Sequence, residues 1–330
     1  MRITRDTLLK LARDFTEKRL TPDRNVTAVF LVGSVRPEDA ALPATLDIDL
    51  LVIHNGEPPR TREIVKISNE IHLDISYENI KDYAQPRELR GDPWRGWSMW
   101  DPLLLHQKGR FFEYTQSIVR AQFDEPENVL KRCRAFAAPA RAAWNEMLFN
   151  PPSASPLKLL SATANAANAL ATLVGPPLTE RNLLANFPSR AETLGLPDLT
   201  GKLLQVITAT FDVQHIRDLL PQWQDCFLAA AQAPFDLRIH PARLSYYKTA
   251  IENQINGNFP ATAFWLLLYT WALSSTSGFA STENEQAWQH FLSQTGLNST
   301  HITDRLEALD AFLDTVEETL EQVALENGLA

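Results

Sequence analysis

The chain has 330 residues, 45% of them apolar and 22% charged, with 12 Gly, 21 Pro and no low-complexity tract. This composition excludes collagen-like, disordered and coiled-coil-only proteins and suits about two domains. The net charge of −9 is uneven: residues 1–150 carry 22 basic and 22 acidic side chains, residues 151–330 carry 9 and 18. The second half therefore has no basic stripe for a phosphate backbone, and a long nucleic acid is excluded as substrate. An acidic field of this kind attracts a cationic small molecule.

Taken in chain order, the first half mixes strand and helix periods. A helix is predicted from Thr4 to Leu20, stopped by Pro22. Because this segment lacks the apolar core of a signal peptide, a cytoplasmic protein is expected. Val26–Val32 is a β-branched apolar run ending at Gly33, and Leu46–His54 is a second strand closed by Asn55-Gly56. Arg62–Ile67 and Glu70–Tyr77 form a predicted hairpin around Ser68-Asn69. A Gly/Pro/Trp-rich loop leads to a short strand at Pro102–His106, and Arg110–Phe123 has helical spacing.

Strand signals end there. Helices are predicted at Glu125–Asn150, then beyond the break Pro151–Pro156 at Leu157–Val174, Leu178–Phe187, Thr200–Phe211, His215–Ala231, Pro241–Asn256, Pro260–Leu273, Glu283–Leu292 and Thr303–Leu325. The greasiest stretch, Phe259–Leu273, is shorter than the roughly 20 residues that span a bilayer and reads as a buried helix. In the last helix Leu306, Leu309, Leu313, Val316, Leu320 and Val323 make one apolar stripe. Thr303 is its predicted cap, Gly328 its stop, and the acids from Asp304 to Glu321 are its solvated side. The expected fold class is α+β: a small mixed-sheet domain, residues 1–124, followed by an all-α helical domain, residues 125–330.

The chemistry concentrates between Val29 and Ile75. Asp47 and Asp49 stand two apart on an apolar strand, so they share a face about 7 Å apart along it. Like charges buried together repel and desolvate, and divalent cations remove the conflict. Asp74, in an equally apolar run, brings a third carboxylate. Gly33 lets the backbone approach a ligand closely, and Ser34 adds a hydroxyl donor for phosphate oxygens, with Arg36 close by in sequence. Together these residues describe a site for a metal-bound nucleoside triphosphate, with Asp74 as the acceptor of a hydroxyl proton.

An apolar strand ending in Gly-Ser, an Asp-x-Asp on the next strand and a single later Asp resemble the nucleotidyltransferase superfamily, which shares its palm with DNA polymerase beta. The architecture is similar to that of kanamycin and streptomycin-type antibiotic nucleotidyltransferases. The resemblance covers residues 20–125. It implies that Gly33 and Ser34 bind phosphate, that Asp47, Asp49 and Asp74 hold Mg2+, and that an NMP group, AMP from ATP, passes to the hydroxyl of a small molecule. A protein hydroxyl acceptor, as in antitoxin-type enzymes, and a non-catalytic nucleotide-binding module are the alternatives. Two departures stand out: the segment from Val35 to Leu46 has no Gly, and Leu46 replaces a small polar residue before the first Asp. Ala169–Phe187 loosely resembles a helix–turn–helix.

Other residues carry open readings. His72 shares a face with Asp74, either tuning it or packing in the core. The three tryptophans of Gly91–Trp100 either pack or stack on a ring substrate, with Arg95 on a phosphate. Lys108, Arg110 and Lys158 reach a triphosphate tail or are solvated, and Glu146 is a candidate acceptor-side base. Cys133 and Cys226 are too far apart in sequence to suggest a metal or disulfide framework. The chain has no Gly-x-Gly-x-x-Gly, no P-loop and no nucleophile elbow.

Overall fold

The computed structural model describes residues 4–33, 46–150, 155–207, 213–257, 260–279, 281–298 and 301–329. The chain divides into two compact units, Met1–Phe123 and Asp124–Ala330.

The first unit opens with helix α1 (Arg5–Phe15), whose Thr4 cap accepts a hydrogen bond from the Thr7 amide. A wider turn, Thr16–Leu20, continues it. Strands β1 (Val26–Val32), β2 (Leu46–His54), β3 (Arg62–Lys66), β4 (Ile71–Asn79) and β5 (Leu103–Gln107) form one sheet in the order β3-β4-β2-β1-β5. The β2–β4 pair is parallel and the other three are antiparallel. The β3–β4 hairpin turns at Ser68, where the Ile67 and Ser68 amides both donate to the Ile71 carbonyl.

Alternation along the strands divides the sheet into two faces. Leu8, Leu9 and Ala12 of α1 pack on Val29, Leu31, Ile48, Leu50, Val52, Leu73 and Ile75. The opposite face presents Ala28, Phe30, Leu51 and Ile53 to Leu89, Met99, Val119 and Phe123. The Trp-rich segment contains a helical turn, α2 (Arg95–Trp100), and α3 follows at Phe111–Arg120. Trp97 meets Phe123 edge-on at 5.1 Å and Trp100 stacks on it at 4.7 Å, so these two rings are packing elements.

The second unit is helical among its described residues: α4 (Pro126–Phe149), α5 (Pro156–Ala171), α6 (Leu183–Thr193), α7 (Leu199–Ile207), α8 (Val213–Ala230), α9 (Leu244–Ile255), α10 (Ala261–Ser275), α11 (Thr282–Thr295) and α12 (Ile302–Glu326). The whole protein is thus α+β, a mixed sheet with its helices followed by an all-α unit. Among the described residues no helix is long and apolar enough to cross a membrane.

Several helix ends differ from the sequence pattern, those near Leu178 and Thr303 among them. The helix expected at Leu178–Phe187 instead begins at Leu183 and runs through Pro188. The cause is Asn168 of α5, whose amide accepts from the Leu178 N–H at 2.6 Å and donates to the Leu178 carbonyl at 3.0 Å. With both backbone groups satisfied sideways, Leu178 has no need of a helical turn. Replacing Asn168 with Ala strands that buried amide, and a loss of about 2 kcal/mol is expected in urea unfolding. The last helix starts at Ile302 with His301 at its cap and no side-chain capping bond, so Thr303 lies inside it.

Three acids of α12 are not simply solvated. Arg141 of α4 donates to Asp310, Asp314 and Glu317 at 2.5, 2.7 and 2.8 Å, and its guanidinium lies 5.0 Å from the Trp144 ring centre. Asp304, Glu307, Glu318 and Glu321 are exposed.

Cys133 and Cys226 are free and buried. Burial pushes the Cys133 thiol up to about 12 and the Cys226 thiol up to about 11. The folded chain therefore holds two protons that the unfolded chain releases above about pH 9. Their contribution is complete below that value and declines as pH rises through the two folded pKa values. Stability is expected to fall in alkali, read as a lower urea midpoint. At neutral pH neither thiol should react with an aromatic disulfide reagent until denaturant is added.

Candidate active site

The site is assembled by strand register. Asp49 on β2 pairs with Val32 on β1 and with Asp74 on β4, while Asp47 pairs with His72. Neighbours in a sheet point to the same side, so Asp47, Asp49, His72 and Asp74 occupy one face, the one that carries Leu51 and Ile53 further along β2. Along β1 and β2 that face continues with Ala28, Phe30, Leu51 and Ile53, along β4 with Ser76 and Glu78, and the acids stand where β2 begins and β1 ends. Asp47 is 8% and Asp74 4% exposed.

Gly33 ends β1 with φ +75°, a left-handed conformation. A Cβ built there would lie 2.0 Å from Asp49 Oδ2 and 2.9 Å from its Cγ. The Asp49 carboxylate thus occupies the space of the missing side chain, and glycine is required by conformation and by room. Ser34 and Arg36, expected to contact phosphate, lie outside the described residues.

Asp74 has a partner that sequence reading did not supply. Arg62 of β3 grips it with two parallel bonds, Nε to Oδ1 at 2.7 Å and Nη2 to Oδ2 at 2.6 Å. Arg62 pairs with Ser76, so it stands diagonally across from Asp74, within reach of a long side chain. The hairpin alone would mislead: a two-residue turn at Ser68-Asn69 sets Glu63 opposite Asp74, whereas the observed register is shifted by one residue, sets Ile64 opposite Asp74 and so brings Arg62 onto its face.

Among the described residues no group of three or more His, Cys, Asp or Glu side chains stands together as a metal-holding cluster. Asp47 and Asp49 still suit a hard cation, because Mg2+ is held by one or two carboxylates with the remaining positions taken by phosphate oxygens and water.

Three of the other candidate cations, Arg95, Lys108 and Lys158, have partners of their own. Arg95 is bound to Glu78 at 2.8 Å and lies near Asp82 and Asp92. Lys108 donates to the Arg24 carbonyl. In the helical unit Lys158 pairs with Glu146. His72 is 2% exposed, a buried neighbour of Asp47 in the ladder.

No protein-family model matches the chain, and no curated protein matches it. The chain is similar to a solved structure, a nucleotidyltransferase-like protein from Exiguobacterium sibiricum 255-15, at 12% identity and a TM-score of 0.28, over 94% of this chain and 91% of that one.

Proposed function

We propose that the chain is a Mg2+-dependent nucleotidyltransferase that moves an NMP group, AMP from ATP, to the hydroxyl of a small acceptor. The observation that carries this reading is the shared face of Asp47, Asp49 and Asp74, with Asp49 lying against a left-handed Gly33. Asp47 and Asp49 are the cation ligands, and the backbone at Gly33, with Ser34, is the cradle for the triphosphate. The bound cation supplies charge neutralisation at the phosphates. The acceptor oxygen forms a bond to the α-phosphorus, the bond from that phosphorus to the β-phosphate bridge breaks, and pyrophosphate leaves. Asp74 accepts the hydroxyl proton. The acidic excess of residues 151–330 favours a cationic acceptor, although Arg141 offsets three of those acids.

The test is label transfer from α-labelled ATP, GTP, CTP or UTP, with Mg2+, to a panel of aminoglycosides and to tyrosine- and serine-bearing proteins. Label on a small cationic acceptor with release of pyrophosphate supports the reading, and label on a protein reassigns the acceptor. A second reading, nucleotide binding without turnover, is favoured by the engagement of both Asp74 oxygens with Arg62. Calorimetric binding of Mg–ATP with no pyrophosphate under any acceptor would select it.

A further inference from the structure

We propose that Arg62 is a positioning residue that holds Asp74 in reserve and exchanges it for phosphate when cation and nucleotide enter. The inference deepens the function proposed above and rests on it. Asp74 stands beside Asp49 in the ladder, on the same face, yet both of its oxygens accept from the Arg62 fork. A third carboxylate is therefore present in the right row but committed to a guanidinium.

The two partners are unequally enclosed. The Asp74 side chain is 4% exposed and sits on an inner strand, whereas Arg62 is 32% exposed and belongs to the edge strand β3. Of the two, only Arg62 has solvent to move into. A guanidinium fork matches carboxylate and phosphate with the same bidentate geometry, so a triphosphate offers Arg62 an equivalent partner. Leaving Asp74 buried with no cation beside it is strongly unfavourable, so its release has to coincide with the arrival of another positive charge. A divalent ion at Asp47 and Asp49 is that charge. In the resting chain the pair protects Asp74 from repelling Asp49, and in the loaded chain the same fork steadies the phosphates.

The experiment measures Mn2+ binding to the full chain without nucleotide, from the paramagnetic resonance signal of free Mn2+. Arg62→Met keeps the apolar stem and removes the competitor, so Mn2+ should bind about tenfold more tightly than in the native chain. The gain should vanish in Arg62→Met with Asp74→Asn, and the KM for ATP should rise in Arg62→Met because the phosphates lose a partner. Arg62→Lys retains the charge without the fork and should show a smaller gain in the same direction, which keeps the test open should Arg62→Met fail to fold. An ion pair that only braces the hairpin predicts unchanged Mn2+ affinity in both Arg62 variants, and that result overturns the proposal. The control is Asp47→Asn with Asp49→Asn. If it abolishes Mn2+ binding while the Arg62 variants leave it unmoved, this inference fails alone. If Mn2+ binding persists in the control, the assigned function fails with it.

Discussion

The double variant Asp47→Asn, Asp49→Asn is expected to lose nucleotidyl transfer by about a thousandfold or more in kcat/KM while remaining folded. Asparagine keeps the size of aspartate and one acceptor oxygen, and the packing of Ile48, Leu50 and Val52 against α1 lies on the opposite face and is untouched. What disappears is the anionic charge proposed to hold a cation against a triphosphate, in a class of reaction where catalysis is almost wholly positioning and charge stabilisation. Removing two like charges from one partly enclosed face also relieves repulsion. The melting temperature should therefore stay level or rise in metal-free buffer even as activity vanishes. Parallel thermal unfolding and pyrophosphate release check both halves, and undiminished turnover would remove the carboxylates from the mechanism.

Gly33→Ala should lower activity about a hundredfold and stability by about 1–2 kcal/mol. The stability loss is the strain of a left-handed L-residue at φ +75°. The activity loss has a separate origin. The new methyl would meet Asp49 Oδ2 at 2.0 Å and Asp49 Cβ at 3.2 Å, and the second atom is fixed by the strand. Asp49 can rotate its carboxylate away only by leaving the position from which it is proposed to hold the cation, and a misplacement of about 1 Å costs roughly a hundredfold in rate. A double-mutant cycle separates the two causes. In an Asp49→Ala background the Gly33→Ala stability cost should persist, because the backbone strain does not depend on the carboxylate, as unfolding midpoints would show.

Much of the first unit was readable because its strands carry their own boundaries. Val26–Val32 and Leu46–His54 are apolar runs closed by Gly33 and Asn55-Gly56, and the structure gives these same limits. The shared face of Asp47 and Asp49 followed from the two-residue period, since the residues between point the other way. Arg62 was missed for a physical reason: its role depends on pairing across a hairpin, and a charged residue at an edge strand reads as solvated when taken alone. The displaced start of α6 has a similar origin. Local spacing around Leu178 suits a helix, but Asn168, ten residues earlier, captures both of its backbone groups. The Trp-rich segment hid α2 because Gly91, Pro93 and Gly96 break its local helical signal, while Trp97 and Trp100 find their place only against Phe123. Local periodicity thus located elements, and tertiary partners decided their ends.

Helix α10 has a consequence for how the second unit comes apart. From Ala261 to Ser274 every residue is buried, and even its hydroxyls turn inward: Thr270 accepts from the Trp223 indole and donates to the Leu266 carbonyl. α5, α6, α8 and α9 are among the helices that cover it. None of these can peel away without wetting the same greasy cylinder, so partial opening is penalised whichever neighbour moves first. The unit is built to melt as one cooperative block, its innermost amides yielding to exchange only when the whole block does.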